Sequence, residues 1–212
     1  DPMPRIARAV AVGYPHHITQ RGNNREPVFF DDADRFHYLE ALGHYAREHK
    51  MDIWAYCLMT NHIHLLAVPH QSDSLAAGIG QANQKHTKYI NRKYLRSGRI
   101  WQSRFYSSIV DADRYLWAVA RYIENNPVKA GLAASALEYR WSSAQHHVSG
   151  TEDPLLSPGA WLDKENKDDY QNFLSEADEK TETMIRKITM SGRPICSPDA
   201  LGKFEEMLGR VL

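Results

Sequence analysis

Residues 52–68, Asp52-Ile53-Trp54-Ala55-Tyr56-Cys57-Leu58-Met59-Thr60-Asn61-His62-Ile63-His64-Leu65-Leu66-Ala67-Val68, spell a β-hairpin. The arm 52–60 is dense in aromatic and aliphatic residues, Asn61 supplies the break, and 62–68 returns as the second arm. In a strand, residues two apart share a face. His62 and His64 therefore point the same way, with Ile63 turned to the apolar side. Two neutral imidazoles side by side are natural ligands for a divalent metal. The alternative is a strand face that simply displays two of the chain's 11 histidines.

Upstream, Pro15-His16-His17-Ile18-Thr19-Gln20-Arg21 reads as another strand, closed by the turn signal Gly22-Asn23-Asn24. His16 and His17 are adjacent, so they face opposite ways and cannot both serve one metal. Asp31-Asp32-Ala33-Asp34 opens a helix with acids in its first turn, where the helix dipole favours them. Phe36, Leu39, Leu42 and Tyr45/Ala46 continue it to about Lys50. Downstream, Leu75 to about Tyr94 predicts a helix ending at Ser97-Gly98, and 99–110 a fourth strand. Asp111-Ala112-Asp113 caps a helix over about 111–126, stopped by Pro127. A turn at Gly131 and a short segment from Trp141-Ser142-Ser143-Ala144 follow. The order predicts a split βαβ-type α+β fold, with a mostly antiparallel sheet and helices on one face.

The stretch 149–160, rich in Ser, Gly and Pro, marks a boundary. It separates a domain over 1–148 from a mainly helical C-terminal extension over 149–212. The extension reads as helix around 167–188, a break at Ser191-Gly192-Arg193-Pro194, and helix from about Asp199 to Leu212. Charge is split along the same line: residues 1–150 carry 18 Lys and Arg against 13 Asp and Glu, while 151–212 carry 8 against 13. The net charge of zero hides this asymmetry.

No run of 18 apolar residues is present, so no membrane span is expected. Asp1-Pro2 ahead of Met3 reads as a vector-derived addition. Asp1-Pro2-Met3-Pro4 has neither arm of a signal peptide. Cys57 and Cys196 lie far apart and form no CxxC pair, which favours a reducing, cytoplasmic setting.

From Gln81 to Arg104 there are seven cations (Lys85, Lys88, Arg92, Lys93, Arg96, Arg99, Arg104) and no acid. Asn83, Gln84, Asn91, Gln102, Tyr89, Trp101 and Tyr106 are interleaved. Cations track phosphates, amides reach bases and aromatic faces stack on unpaired bases, so nucleic acid is the indicated partner. An ordinary solvated helix face would mix both signs. On the helix over 111–126, Tyr122 and Asn126 are four apart and share a face. Tyrosine can be a nucleophile, and an Asn126 amide oxygen could add to a metal site begun by two histidines. A core-edge tyrosine and a C-terminal helix cap are the plainer alternative. Tyr115 competes, but its neighbour four residues on is Val119, which binds no metal.

Together these motifs resemble a known family. His62-Ile63-His64 follows Met59-Thr60-Asn61. Then come Gly98-Arg99-Ile100-Trp101-Gln102-Ser103-Arg104-Phe105, Tyr122-Ile123-Glu124-Asn125-Asn126-Pro127-Val128-Lys129-Ala130-Gly131-Leu132 and Trp141-Ser142-Ser143, with Arg21-Gly22-Asn23-Asn24 near the start. The set is similar to the single-tyrosine HUH transposases and, within them, the REP-associated tyrosine transposases, over residues 5–147. The resemblance implies a ferredoxin-like or RRM-like antiparallel sheet. It implies Mg²⁺ or Mn²⁺ bound by His62, His64 and Asn126, and Tyr122 as nucleophile. The implied activity is cutting and rejoining single-stranded DNA beside a hairpin of REP type, through a 5′-phosphotyrosine link. Arg21, Asn23, Asn24, Lys85, Lys88, Arg92, Lys93, Arg99 and Arg104 are the expected DNA contacts. Two other readings stand beside it: a catalytically retired module that binds hairpin DNA or RNA, and a His-x-His hydrolase of small molecules. The second leaves the cation block unexplained. A monomer and a homodimer are both compatible with the sequence, as are a tyrosine serving its own site and one serving a partner's. A spatial expectation follows from the chemistry: the end of the helix over 111–126 should pack beside the start of strand 62–68.

Overall fold

The structure, a computed structural model, describes residues 8–157, 167–176 and 178–212. The presumed vector-derived start and Pro158-Gly159 of the expected boundary lie outside the described residues. In order, the elements are β1 (His16–Arg21), α1 (Asp32–Glu48), β2 (Met51–Leu58), β3 (His62–Pro69), α2 (Ser74–Lys93), β4 (Tyr106–Ile109), α3 (Ala112–Glu124), α4 (Asn126–Lys129), α5 (Ala144–Ser149), α6 (Lys167–Ser175), α7 (Glu179–Ser191) and α8 (Pro198–Leu208). The four strands form one antiparallel sheet in the order β2-β3-β1-β4. With its β1-α1-β2-β3-α2-β4 connection this is the ferredoxin-like arrangement the motifs imply.

Helix α1 starts where it does because of a capping box. Asp31 Oδ1 accepts from the Asp34 amide at 3.0 Å, and Asp34 Oδ2 accepts from the Asp31 amide at 3.3 Å. Asp34 is buried, and Lys93 at the end of α2 reaches it at 2.7 Å, which ties the two helices together. Ile18, Leu58, Ile63 and Leu65 form the sheet side of a core whose other side is Tyr38 and Leu42 of α1 and Leu75 and Ile79 of α2.

The expectation of helices on one face holds for α1 and α2 only. Ala55, Cys57 and Leu66 make part of the second face apolar as well, and they are covered by Val119, Ala120 and Ile123 of α3 and by Tyr170 and Ile185 of α6 and α7. A bulge at Trp54 shifts the alternation in β2, so Ile53 and Tyr56 share one face while Ala55 and Cys57 share the other. Leaving this apolar part of the face exposed to water would be costly, since burying a large apolar side chain contributes about 1.5–3 kcal/mol. The segment after residue 149 therefore docks on it. The Arg121 guanidinium donates to Asp178 at 3.2 Å, and Asn125 donates to the Leu174 carbonyl at 2.7 Å. Ile195 bridges Val110 beside β4.

Three boundaries differ from the sequence expectation. The helix expected around 167–188 is two, α6 (Lys167–Ser175) and α7 (Glu179–Ser191). Only Tyr106–Ile109 of the predicted strand 99–110 is regular. The rest is an irregular segment with Ser103 at positive φ (53°), preceded by Gly98 (89°), and it touches the sheet through a Trp101–Gly22 bridge. Pro127 does not end the helical path: α3 closes at Glu124 and Pro127 sits in the first turn of α4, where its missing N–H is harmless.

Candidate nucleic-acid processing site

The second face of the sheet carries the site. In the β1–β3 register Thr19 lies opposite His64 and Arg21 opposite His62. His17, Thr19, Arg21, His62 and His64 consequently line one cavity of about 650 Å³. Helix α3 closes it with Tyr122, and Asn126, Lys129 and Arg186 complete its wall. Tyr122 packs edge-on against His64 (ring centres 5.5 Å apart) and His17 (5.4 Å). The expected meeting of α3's end with the start of β3 is therefore present, and within one chain.

Both β3 imidazoles are held neutral. Burial, with Arg21 nearby, pulls His62 down to about 4. Burial, then His62, His17 and Lys129, pulls His64 well below the ordinary histidine range. Neutral rings keep a lone pair for a cation. For His62 the nitrogen that carries the proton follows from its neighbour. Asn61 Nδ2 donates to the Arg25 carbonyl at 2.8 Å, which turns Asn61 Oδ1 toward His62 Nδ1 at 2.7 Å. That oxygen only accepts, so the proton is on Nδ1 and Nε2 is bare.

Asn126 is oriented by the same logic. Pro127 has no N–H to give the Ile123 carbonyl. The Asn126 amide nitrogen turns back instead, to within 3.4 Å of that carbonyl and 2.6 Å of the Tyr122 carbonyl. Its Oδ1 is thereby directed away from the helix carbonyls. Two bare imidazole nitrogens and an amide oxygen are donors that could hold a divalent cation while leaving coordination positions open for phosphate. Among the described residues no group of three or more His, Cys, Asp or Glu forms a closed metal cage.

Burial raises the Tyr122 phenol above its ordinary value, opposed by Arg186 and reinforced by Glu182. Lys129 lies 5.3 Å from the Tyr122 ring centre and pairs with Glu182. Tyr106 also lines the cavity, but it is half exposed on β4.

Of the expected DNA contacts, Arg21 and Arg104 line the cavity. The Arg21 guanidinium is braced by Gln102 Oε1 at 3.0 and 3.2 Å. Asn23 and Asn24 are exposed in the turn after β1, and Lys85, Lys88 and Arg92 are exposed along α2. Arg99 and Arg104 line a neighbouring groove of about 560 Å³ with Arg8, Gln84 and Trp101 and, among the described residues, no acidic side chain. The two cavities adjoin at Gln20, Ser103 and Arg104. Lys93 differs from expectation: its ammonium is bound to Asp31 and Asp34, both at 2.7 Å, so it serves helix packing. Sequence reading missed His17, Glu182, Arg186 and Thr189. His17 had a usable signal, because an antiparallel partner strand must put one residue of His16-His17 on the His62/His64 face. The α7 residues had none.

A family model described as transposase IS200-like matches residues 11–126. The chain belongs to the IS200-like transposase family. The matched stretch runs from ahead of β1 to Asn126 and includes His62, His64 and Tyr122. The chain is 30% identical over 121 residues to a Haemophilus influenzae protein named as a REP-associated tyrosine transposase. That alignment covers 52% of this chain and 66% of the relative, just under two thirds of its length. A solved structure of a REP-associated tyrosine transposase bound to a REP hairpin has the same fold, with a TM-score of 0.60 and 20% identity over 76% of this chain and 94% of that one. The resemblance expected from the motifs is met. No helix among the described residues is long and apolar enough to cross a membrane.

Proposed function

We propose that this transposase cuts and rejoins single-stranded DNA at the foot of a hairpin of REP type, with Tyr122 as the nucleophile. The observation that carries this reading is Tyr122 packed against His64 in a cavity that also holds His62, Asn126 and the cationic side chains of Arg21, Arg104 and Arg186. His62 Nε2, the free nitrogen of His64 and Asn126 Oδ1 would hold Mg²⁺ or Mn²⁺. Such a cation would polarise the scissile phosphodiester and stabilise its developing charge.

Tyr122 Oη attacks phosphorus in line with the departing 3′-oxygen. A 5′-phosphotyrosine bond forms, the phosphorus–O3′ bond breaks, and a 3′-hydroxyl strand is released. The phenol gives up a proton and the leaving oxygen gains one, so the step is proton-neutral. Because the phosphoester energy is kept in the tyrosyl link, a 3′-hydroxyl can reverse the step and join strands without ATP. Arg186 beside Tyr122 favours the phenolate, against burial and Glu182, which favour the phenol. Arg21 and Arg104 hold phosphates on either side, and the arginine-lined groove takes the strand as it leaves the cavity. Since His64 and Tyr122 meet in the same chain, the reading needs no second subunit.

The test is an adduct assay with a hairpin oligonucleotide carrying single-stranded flanks. A covalent protein–DNA species should form in Mg²⁺ or Mn²⁺, vanish in EDTA, and be absent in Tyr122→Phe. Binding that is unaffected by EDTA, with no adduct in metal, would instead favour a retired binding module.

A further inference from the structure

We propose that Thr189, on α7 of the C-terminal segment, fixes the tautomer of His64 through His17 and so presents the His64 Nε2 lone pair to the cation. This rests on the metal reading above for the word cation, while the hydrogen-bond chain stands on its own geometry.

The chain can be followed atom by atom. The Thr189 hydroxyl has one proton, and it goes to the Ile185 carbonyl 2.8 Å away, one turn back in α7. A carbonyl oxygen can only accept. Toward His17 Nδ1, 2.7 Å away, Thr189 Oγ1 is then left as an acceptor. His17 must carry its proton on Nδ1. His17 is fully buried with no carboxylate bonded to it among the described residues, so it is neutral and its Nε2 is bare. That nitrogen lies 3.1 Å from His64 Nδ1, which must donate. The two rings are within 11° of parallel. His64 is neutral as well, so its remaining nitrogen, Nε2, carries the lone pair. Asn61 imposes the same Nδ1–H form on His62. Two unrelated devices thus present matching nitrogens from neighbouring positions of β3.

Thr189 lies beyond the 11–126 stretch matched by the family model. The C-terminal segment is on this account part of the site, a role its acidic composition does not suggest. Ligand histidines are ordinarily oriented by such a partner on the far ring nitrogen, and losing one lowers metal affinity by roughly 10- to 100-fold. Thr189 and His17 are positioning residues, acting only through His64.

The experiment uses the full chain labelled with ¹⁵N-histidine. Ring ¹⁵N–¹H correlation spectra of the metal-free protein report each tautomer, and calorimetric titration with Mn²⁺ reports affinity. The wild type should show His17 and His64 in the Nδ1–H form. Thr189→Val keeps the shape but removes the acceptor. It should lose the single His64 tautomer and weaken Mn²⁺ binding about 10-fold or more, and Thr189→Ser should restore both. His17→Gln, whose amide oxygen can still accept from His64, should retain more affinity than His17→Leu. A Thr189→Val protein with the wild-type His64 signal and wild-type Mn²⁺ affinity overturns the proposal, as does Thr189→Ser behaving like Thr189→Val. A wild type with the expected tautomers but no Mn²⁺ uptake sinks the metal reading and leaves the relay standing. Wild-type His64 in the other tautomer sinks the relay alone.

Discussion

Acid should unfold this protein early, and His16 isolates one contribution. His16 sits in β1 on the opposite face from His17. Its Nε2 accepts from the Ala11 amide at 3.2 Å and its Nδ1 donates to the Tyr14 carbonyl at 2.8 Å. That pairing requires a neutral ring, and burial pulls its pKa from 6.5 down to about 4, the Tyr14 bond opposing only in part. The unfolded chain takes up the His16 proton as pH falls through 6.5, whereas the folded chain resists until about 4. Between those values the unfolded state binds more protons, so stability is present above pH 6.5 and drains away toward pH 4. The gap of two and a half units corresponds to about 3 kcal/mol at ~1.4 kcal/mol per unit. That is a large share of the roughly 5–15 kcal/mol a domain possesses. His62 and His86, both lowered to about 4 by burial, act with the same sign. The assay is urea denaturation of the wild type and His16→Gln at half-unit steps from pH 7.5 to 4.5. The variant starts lower by roughly 1–3 kcal/mol, from unsatisfied backbone groups. Its stability should then fall less steeply, by up to ~1.4 kcal/mol per pH unit below pH 6. Carboxylates titrate in both proteins and cancel in the comparison. Parallel curves across this window would mean that His16 titrates normally, and the reasoning would fail.

Four further outcomes follow from the same geometry. A Cβ on Gly22 would sit 2.1 Å from the Glu26 carbonyl oxygen and 2.9 Å from Val28 Cγ1, and Gly22 also donates to the Asn61 carbonyl at 2.7 Å; Gly22→Ala should cost roughly 1–3 kcal/mol in urea melts. Asn61→Ala frees the His62 tautomer and should weaken Mn²⁺ binding about 10-fold with little change in thermal midpoint. Arg99→Ala should weaken binding to a single-stranded oligonucleotide and lower its log–log salt slope by about 0.7, one phosphate's worth. Lys93→Ala should leave that slope unchanged and lower stability, since it strips the buried Asp34 of its cationic partner; equal slope losses in the two variants would contradict the placement of Lys93.

The hairpin, the sheet and the facing of His62 and His64 were legible because strand alternation is a local rule that a sequence displays directly. Tyr122 and Asn126 were legible as a pair because helix spacing is equally local. The Trp54 bulge was not, since no residue type announces an extra residue in a ladder. Nor was the covering of the second face, although Ala55, Cys57 and Leu66 alternate correctly for it once the bulge is known. Lys93 looked like its neighbours in a basic run, and only tertiary packing sets it against Asp31 and Asp34. Thr189 contacts His17 across 172 positions, a distance over which a single sequence carries no pairing signal.

The central claim is that Tyr122 becomes covalently bound to DNA through a 5′-phosphate. Trypsin cuts after Arg121 and Lys129 and so isolates Tyr122 in an eight-residue peptide. After reaction with a hairpin oligonucleotide in Mn²⁺ and digestion of protein and DNA, mass spectrometry should find the nucleotide on peptide Tyr122–Lys129, with the released strand ending in a 3′-hydroxyl. A nucleotide on the peptide bearing Tyr106 or Tyr115, or a released strand ending in a 3′-phosphate, would contradict it.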